Sequence, residues 1–467
     1  MSVGSEISVA QLESDPYPIY EQLRAEEPVC YVESVGLWLV TRWDDVQYVD
    51  KSPELFTGET EPSTLNRTFG KNLLGSEGAY HDRIRSIIYP WFRVGAIGDY
   101  PDNVIAPIAN ELVDAFAERG SCELVSEFAE PLSARVLKQA LGLEFVEEDT
   151  LRRWFVELAT GAANFEGDPE KQTIADAASA EVNETLAPVV ERLEREPDDT
   201  LLSSMVNTEV DGERLTLEEV QSNLKVMIVG GLQATTDLIA LSLWAILSHP
   251  EQLAEVRDDP KLVDPAIEEA ARWHSPVGTS TRQTTRETEL AGVRLEAGAL
   301  VAAVLASANR DERNWTDPDR YDVHRREGGH LAFATGPHLC IGARLARYET
   351  RAAWRVLLDR LRAVQPHDLP SDLDLFDEQT ATRGMRLNKA AYSLKDEHQR
   401  ELFHRDEEAW MAQFELTDEE QELMRKRDWI GLWRSGMSIY VMVKLSGVTN
   451  TALPEIGKQM RESGGSA

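Results

Sequence analysis

Between Leu217 and Leu247 the sequence LEEVQSNLKVMIVGGLQATTDLIALSLWAIL keeps helical periodicity without a proline, and it stops at His249-Pro250. The residue before a proline is pushed out of the α region, so the helix ends there. At 1.5 Å per residue it spans on the order of 45 Å, and it is apolar around most of its circumference. Only a bilayer or the middle of a large helical domain buries such an element. Gln233 and Asp237 sit in the middle of the most apolar part, Val226 to Leu247, and Lys225 at its edge, where each would be expensive in hydrocarbon. The helix therefore reads as a core helix, around which the rest must wrap. Strand-like runs occur only at Leu37 to Arg42 and from Arg282 to Leu305, so the fold expected is mainly α with small β-sheets.

A chain of 467 residues, 42% of them apolar, can build one large or two to three ordinary domains without covalent staples. Cys30, Cys122 and Cys340 are scattered, which supports neither a disulfide framework nor a cysteine-based structural zinc site. A reducing, cytoplasmic setting fits this usage, and the acidic opening MSVGSEISVAQLESDP lacks the apolar stretch of a signal peptide. The formal charge of −34 argues against nucleic acid and anionic membrane surfaces as partners.

One cysteine stands in unusual company. In FATGPHLCIGARLARYE, Phe333 to Glu349, Cys340 is fenced by Gly336, His338 and Gly342 just before a helix pattern. A helix start stabilises a thiolate through its dipole and free N–H groups. As a nucleophile it would need a base, and His338 two residues away is not how such pairs usually meet. As a metal ligand it fares better, because the glycines keep bulk away from the sulfur and a single thiolate suffices on a large planar cofactor. Elsewhere, Gly230-Gly231 inside the long helix implies a kink or the close approach of something flat. Glu269 and Arg272 share a helix face, which alone describes an ordinary surface pair. The run Gln365 to Gly384 is rich in Asp, Pro and Gly, as at a domain boundary. Beyond it lie Trp410, Trp429 and Trp433, a capping box Thr417-Asp418-Glu419-Glu420, and helical apolar spacing through Leu423, Met424, Ile430, Tyr440 and Leu445, which read as a small helical unit.

HLAFATGPHLCIGARLARYE resembles the haem-binding loop of the cytochrome P-450 superfamily, and the other motifs agree in order. Glu269-Ala-Ala-Arg272 is similar to the family's E-x-x-R pair, and Arg325 in DPDRYDVHR to the arginine that completes its structural triad. DPYPIYEQLRAEEPVCYV and WLVTRWDDVQYV are similar to the opening of bacterial members, so the resemblance covers about residues 15 to 385. It implies a P-450 fold over residues 1–385, haem b held by Cys340 and Gly342, and a monooxygenase that inserts one atom of dioxygen. His81 and Arg85 (AYHDRIR), Arg282 and His338 match the residues that pair with haem propionates.

Two positions depart from the pattern. Ala334 replaces the loop's first glycine, a change that a relaxed turn would absorb. Aligning GGLQATT with the family's A-G-x-acid-Thr-Thr puts Gln233 at the acid and Ala234 at the alcohol used for proton delivery. Thr235 substitutes if the helix bulges, ordered water is the other route, and a slip of one residue would restore the usual pair. The G-G-L-Q pattern is similar to that of bacterial monooxygenases that demethylate guaiacol-type ethers. Residues expected near substrate are Phe69, Phe165, Gly230, Gly231, Val277, Thr279 and Phe376. Without a nucleotide, flavin or iron–sulfur signature, electrons must come from another protein, a ferredoxin with its reductase or a flavin/iron–sulfur reductase. In this family the donor docks beside the helix after the cysteine, here carrying Arg344, Arg347, Arg351, Arg355, Arg360 and Arg362.

Residues 386–467 resemble the small alpha subunit of extradiol protocatechuate-type dioxygenases, an all-α module without iron that covers a larger catalytic subunit. His398 and His404 are then surface residues. The joint expectation is a haem-thiolate monooxygenase of a small methoxylated or phenolic aromatic, whose tail recruits a dioxygenase catalytic subunit or acts as a lid. The alternatives are a haem protein with weak oxygen chemistry serving as a ligand-binding scaffold, or a monooxygenase of a lipid or steroid.

Overall fold

The computed structural model describes residues 2–165, 167–360, 385–394, 397–414, 416–435, 437, 445 and 449. Phe376, Arg362 and Tyr440 fall outside them, as does the side chain of Trp433. The chain divides into two compact units, Met1–Val364 and Gln365–Ala467.

The long helix spans Leu217–Leu247 without interruption. Thr216 caps it in a box with Glu219, each side chain serving the other's backbone N–H, and the next helix starts at Pro250. By length and composition it is able to cross a membrane, yet half of its most apolar window is buried inside the unit. Leu224, Ile228, Leu232, Ile239 and Ile246 have no exposed surface, and each such side chain contributes about 1.5–3 kcal/mol by burial. Helices Glu130–Leu141, Val263–His274 and Ala343–Arg360 pack directly on it. The indole Nε1 of Trp354 donates to Ser242 Oγ at 2.9 Å, tying the helix after Cys340 to the long one.

Strands are short. They are β1 (Val29–Val32), β2 (Leu37–Val40), β3 (Phe56–Thr57), β4 (Ser280–Thr284), β5 (Thr288–Leu290), β6 (Val293–Leu295) and β7 (Leu300–Ala303). One sheet has the order β1-β2-β7-β4-β3, with only β2 and β7 parallel, and β5-β6 form a hairpin. The sheet ties the N-terminal segment to residues 280–303 in one unit. It also fixes Arg282, which sits opposite Val301.

In the second unit the described α-helices are Met385–Ser393, Glu397–Arg405, Glu407–Met411, Asp418–Lys426 and Trp429–Arg434. The Thr417/Glu420 capping box forms with both of its hydrogen bonds. Trp410 and Trp429 are completely buried with Leu387, Phe403 and Met424, so these two indoles build the unit's own core. His398 and His404 are exposed.

Candidate active site

Cys340 follows a tight loop. The N–H of Ala334 donates to the carbonyl of Leu331 at 2.8 Å, and that of Cys340 to the carbonyl of Phe333 at 3.0 Å. Ala334 holds φ at +57°, so the turn has not relaxed around the alanine but keeps the left-handed backbone that glycine favours. That costs about 1–2 kcal/mol. Gly336 has no such latitude: φ is +69°, and a Cβ there would lie 2.3 Å from the carbonyl oxygen of Asp50. At Gly342 the nearest atom to an added Cβ is the Cys340 sulfur, 4.0 Å away, which leaves the thiol's flank clear.

The thiol is deep within the unit yet its surface is open. Burial pushes its pKa up, while the N–H groups of Gly342 and Ala343 and the charges of Arg347 and Arg85 pull it down. Distant segments converge on this loop. Arg85 donates to the carbonyl of Leu339 at 2.8 Å. The rings of His81 and His338 lie 4.7 Å apart, and His338 Nε2 meets Glu77 Oε1 at 2.9 Å. His81 is 1% exposed, and its Nε2 has no partner. Arg282 pairs with Asp50 Oδ1 at 3.1 Å, and the other oxygen of that carboxylate is unpartnered. A buried polar atom left alone costs about 1–3 kcal/mol, which a ligand's polar groups would recover.

Behind the loop, Glu269 binds Arg272 through two parallel bonds of 2.8 Å and Arg325 at 2.9 Å. Arg272 also donates to the carbonyls of Asn309 and Pro318, both at 2.8 Å. The pair that sequence spacing alone leaves on a surface is thus wholly internal.

Along the middle of the long helix, Val226, Val229, Gly230, Gln233, Ala234 and Asp237 form one accessible stripe, while Leu224, Ile228, Leu232 and Ile239 on its other faces are fully buried. Gly230 faces open space, whereas a Cβ at Gly231 would meet Leu137 Cδ1 at 2.7 Å. The glycine pair therefore serves helix packing on one side and an open face on the other, without breaking the helix. Nor does the helix bulge: Thr235 is buried on the side opposite the stripe, so it does not join Gln233 and Ala234. Asp237, which is not among the residues expected at the site, lies on the stripe one turn beyond Gln233, its carboxyl pushed up by burial. The signal was its i+4 spacing from Gln233.

Val277 and Thr279 are exposed between the helix Val263–His274 and β4. Phe165 is 78% exposed on the loop before the helix Pro169–Arg195, whereas Phe69 is 2% exposed and packs in the core. The arginine helix is less free than its sequence implies. Arg347 forms a two-pronged pair with Glu268, Arg351 pairs with Asp264 and Arg360 with Asp114. Arg344 and Arg355 are exposed and form no ion pair among the described residues.

Over 362 residues the chain is 35% identical to cytochrome P450 monooxygenase PikC of Streptomyces venezuelae, spanning 74% of this chain and 84% of that one. The chain belongs to the cytochrome P450 family. Residues 169–380 match the family model for cytochrome P450. Steroid C26-monooxygenase of Mycolicibacterium smegmatis is 31% identical over 73% of this chain and 84% of its own length. The crystal structure of P450BioI in complex with hexadec-9Z-enoic acid ligated acyl carrier protein superposes with a TM-score of 0.72 at 26% identity, covering 77% of this chain and 95% of that one. Residues 387–465 match the family model for the LigA subunit of the aromatic-ring-opening dioxygenase LigAB. The protein is a cytochrome P450 monooxygenase, its cofactor is haem b, and its electrons come from external donor proteins.

Proposed function

We propose that this P450 removes the methyl group from a small methoxylated aromatic, and that its C-terminal unit brings a ring-cleaving dioxygenase to the product. The observation that carries the reading is the match to an aromatic-ring-opening subunit on the same chain as a monooxygenase. The G-G-L-Q segment, whose Gly230 and Gln233 lie on the open stripe, supports it. In such a demethylation one atom of dioxygen enters a methyl C–H bond and the other leaves as water with two electrons and two protons. The resulting hemiacetal divides into a phenol and formaldehyde.

The residues suit the cofactor. Cys340 would hold the iron, its sulfur steadied by the N–H groups of Gly342 and Ala343. His81, with its orphaned Nε2, together with His338, Arg282 and Arg85, would take the propionates. The bound haem supplies the oxygen-activating chemistry, favoured by a thiolate ligand. Val277, Thr279 and the open stripe shape the substrate's space. Ala234 brings a methyl where the family has a hydroxyl, which makes room beside the reacting centre and leaves proton handling to other groups.

The test is a titration of the ferric full-length protein with methoxyphenols, read as a shift of the absorption spectrum toward high spin. Guaiacol- and syringol-type compounds are expected to give the shift. The steroid and acyl substrates named for the relatives favour a second reading, a lipid or steroid monooxygenase. A shift with those compounds and none with methoxyphenols decides for it.

The tail reading makes its own demand. A chain ending at Gly384 should keep its haem and its monooxygenation, and should no longer capture a dioxygenase catalytic subunit that the full chain captures in a pull-down. Loss of substrate binding on truncation would make the tail a lid instead.

A further inference from the structure

Inserting one atom of dioxygen and releasing the other as water consumes two electrons and two protons. The electrons come from a donor protein. The protons need a group on this chain, and Ala234 brings only a methyl to the position where the family carries a hydroxyl. Among the stripe residues Val226, Val229, Gly230, Gln233, Ala234 and Asp237, only Asp237 ionises.

Its position follows from helix geometry. At about 100° per residue, Asp237 projects within about 60° of Gly230, Gln233 and Ala234, and it stands about 4.5 Å beyond Ala234 along the axis. The next residue, Leu238, is buried against Ala332, Ala346 and Phe333, and the carbonyl of Phe333 accepts the N–H of Cys340. The turn that carries Asp237 is therefore the turn that meets the flanks of the cysteine loop. Ala234, one turn earlier, projects within about 40° of Leu238, so it faces the loop's side and Asp237 stands beside it.

Asp237 is also chemically free. It is half-buried, and its carboxyl forms no ion pair or hydrogen bond among the described residues. Burial alone displaces its pKa, upward, and no charged side chain holds it anionic. Its accessible face lets solvent return each proton given away. Gln233, one turn before it, offers an amide donor and acceptor but no proton to give. Glu349, on the helix after Cys340, has its carboxyl pushed up as well, but it is buried with Oε2 unpartnered and lacks such a face.

We propose that Asp237 supplies the protons consumed in dioxygen activation, taking the place of the hydroxyl absent at Ala234. Each transfer breaks the carboxyl O–H bond and forms an O–H bond on the oxygen that leaves as water. The carboxylate then takes a proton from solvent, so two transfers match the two electrons from the donor. The proposal rests on the monooxygenase activity and not on the choice of substrate.

The experiment compares the full-length wild-type holoenzyme with Asp237→Asn and Asp237→Glu. Asparagine is isosteric and no partner is lost with the acid, so that variant should keep its haem and its red-shifted ferrous carbon monoxide band. Dioxygen consumption is followed with reductant and a saturating surrogate ferredoxin and reductase, and needs no substrate. Consumption of added hydrogen peroxide, which brings its own protons, is followed beside it. Asp237→Asn is expected to slow the first by at least ~10-fold, the rest of a ~100-fold general-acid effect being masked by electron delivery, and to leave the second unchanged. Asp237→Glu should restore most of the first. A smaller fall, or an equal fall in both rates, overturns the proposal. Infrared spectra give a readout apart from turnover: the protonated-carboxyl band of the wild type that is missing in Asp237→Asn should titrate above ~3.9, the ordinary aspartate value. A band that titrates at or below that value overturns the proposal as well, since the group would hold no proton to give.

Discussion

Cys340→Ser is expected to leave a folded chain whose ferrous carbon monoxide adduct lacks the red-shifted absorption band of a thiolate-ligated haem. The side chain's surroundings explain both halves of that outcome. The loop is closed by backbone bonds, from Ala334 to Leu331 and from Cys340 to Phe333, which a serine leaves intact. Serine is also nearly isosteric. What changes is the charge available at the ligating atom. The N–H groups of Gly342 and Ala343, with Arg85 and Arg347, draw the sulfur toward its anionic form against the cost of burial, and a bound metal ion completes the deprotonation. An alcohol is far harder to ionise and cannot donate electron density in the same way. Monooxygenation should fall to background with it. A variant that keeps the shifted band would show that another residue supplies the ligand.

The second large effect is expected at Glu269. This carboxylate is 4% exposed and balances two buried guanidinium groups, Arg272 through a two-pronged contact and Arg325 through one bond of 2.9 Å. Glu269→Gln keeps the shape but leaves the arginines without their anion. Removing one member of a buried ionic cluster costs about 3–5 kcal/mol, because the remaining charge stays out of water. Arg272 also grips the carbonyls of Asn309 and Pro318, so the damage reaches the segment leading to the cysteine loop. Denaturant unfolding of the full chain should show the first unit's transition displaced by that amount, with haem lost earlier than in the wild type. A displacement below about 1 kcal/mol would mean that the triad is dispensable.

Much of this site was legible in the sequence because its signals are local. The long helix announces itself by periodicity and by its Thr216–Glu219 box, and the tight turn before Cys340 by its glycines. Other features depend on pairings between distant segments, which no spacing rule encodes. The arginines after Cys340 read as a basic island, but Arg347, Arg351 and Arg360 are spent on Glu268, Asp264 and Asp114. Thr235 was a candidate hydroxyl until the unbroken helix turned it away from the stripe. Ala334 was expected to relax its turn, yet the surrounding bonds hold it left-handed. Lys225 served only as an argument against a membrane span, because its burial and its bond to Ser179 depend on how distant helices meet. Trp410 and Trp429 suited a core or an interface equally until packing placed both inside.

The central claim, that this P450 demethylates methoxylated aromatics, is tested most directly by turnover. Full-length holoenzyme, supplied with electron-donor proteins and 4-hydroxy-3-methoxybenzoate or 2-methoxyphenol, is assayed for formaldehyde and for the ring product. Formaldehyde and a catechol are expected in equal amounts, dependent on dioxygen and abolished in Cys340→Ser. Consumption of reductant and dioxygen without formaldehyde from either compound would contradict it.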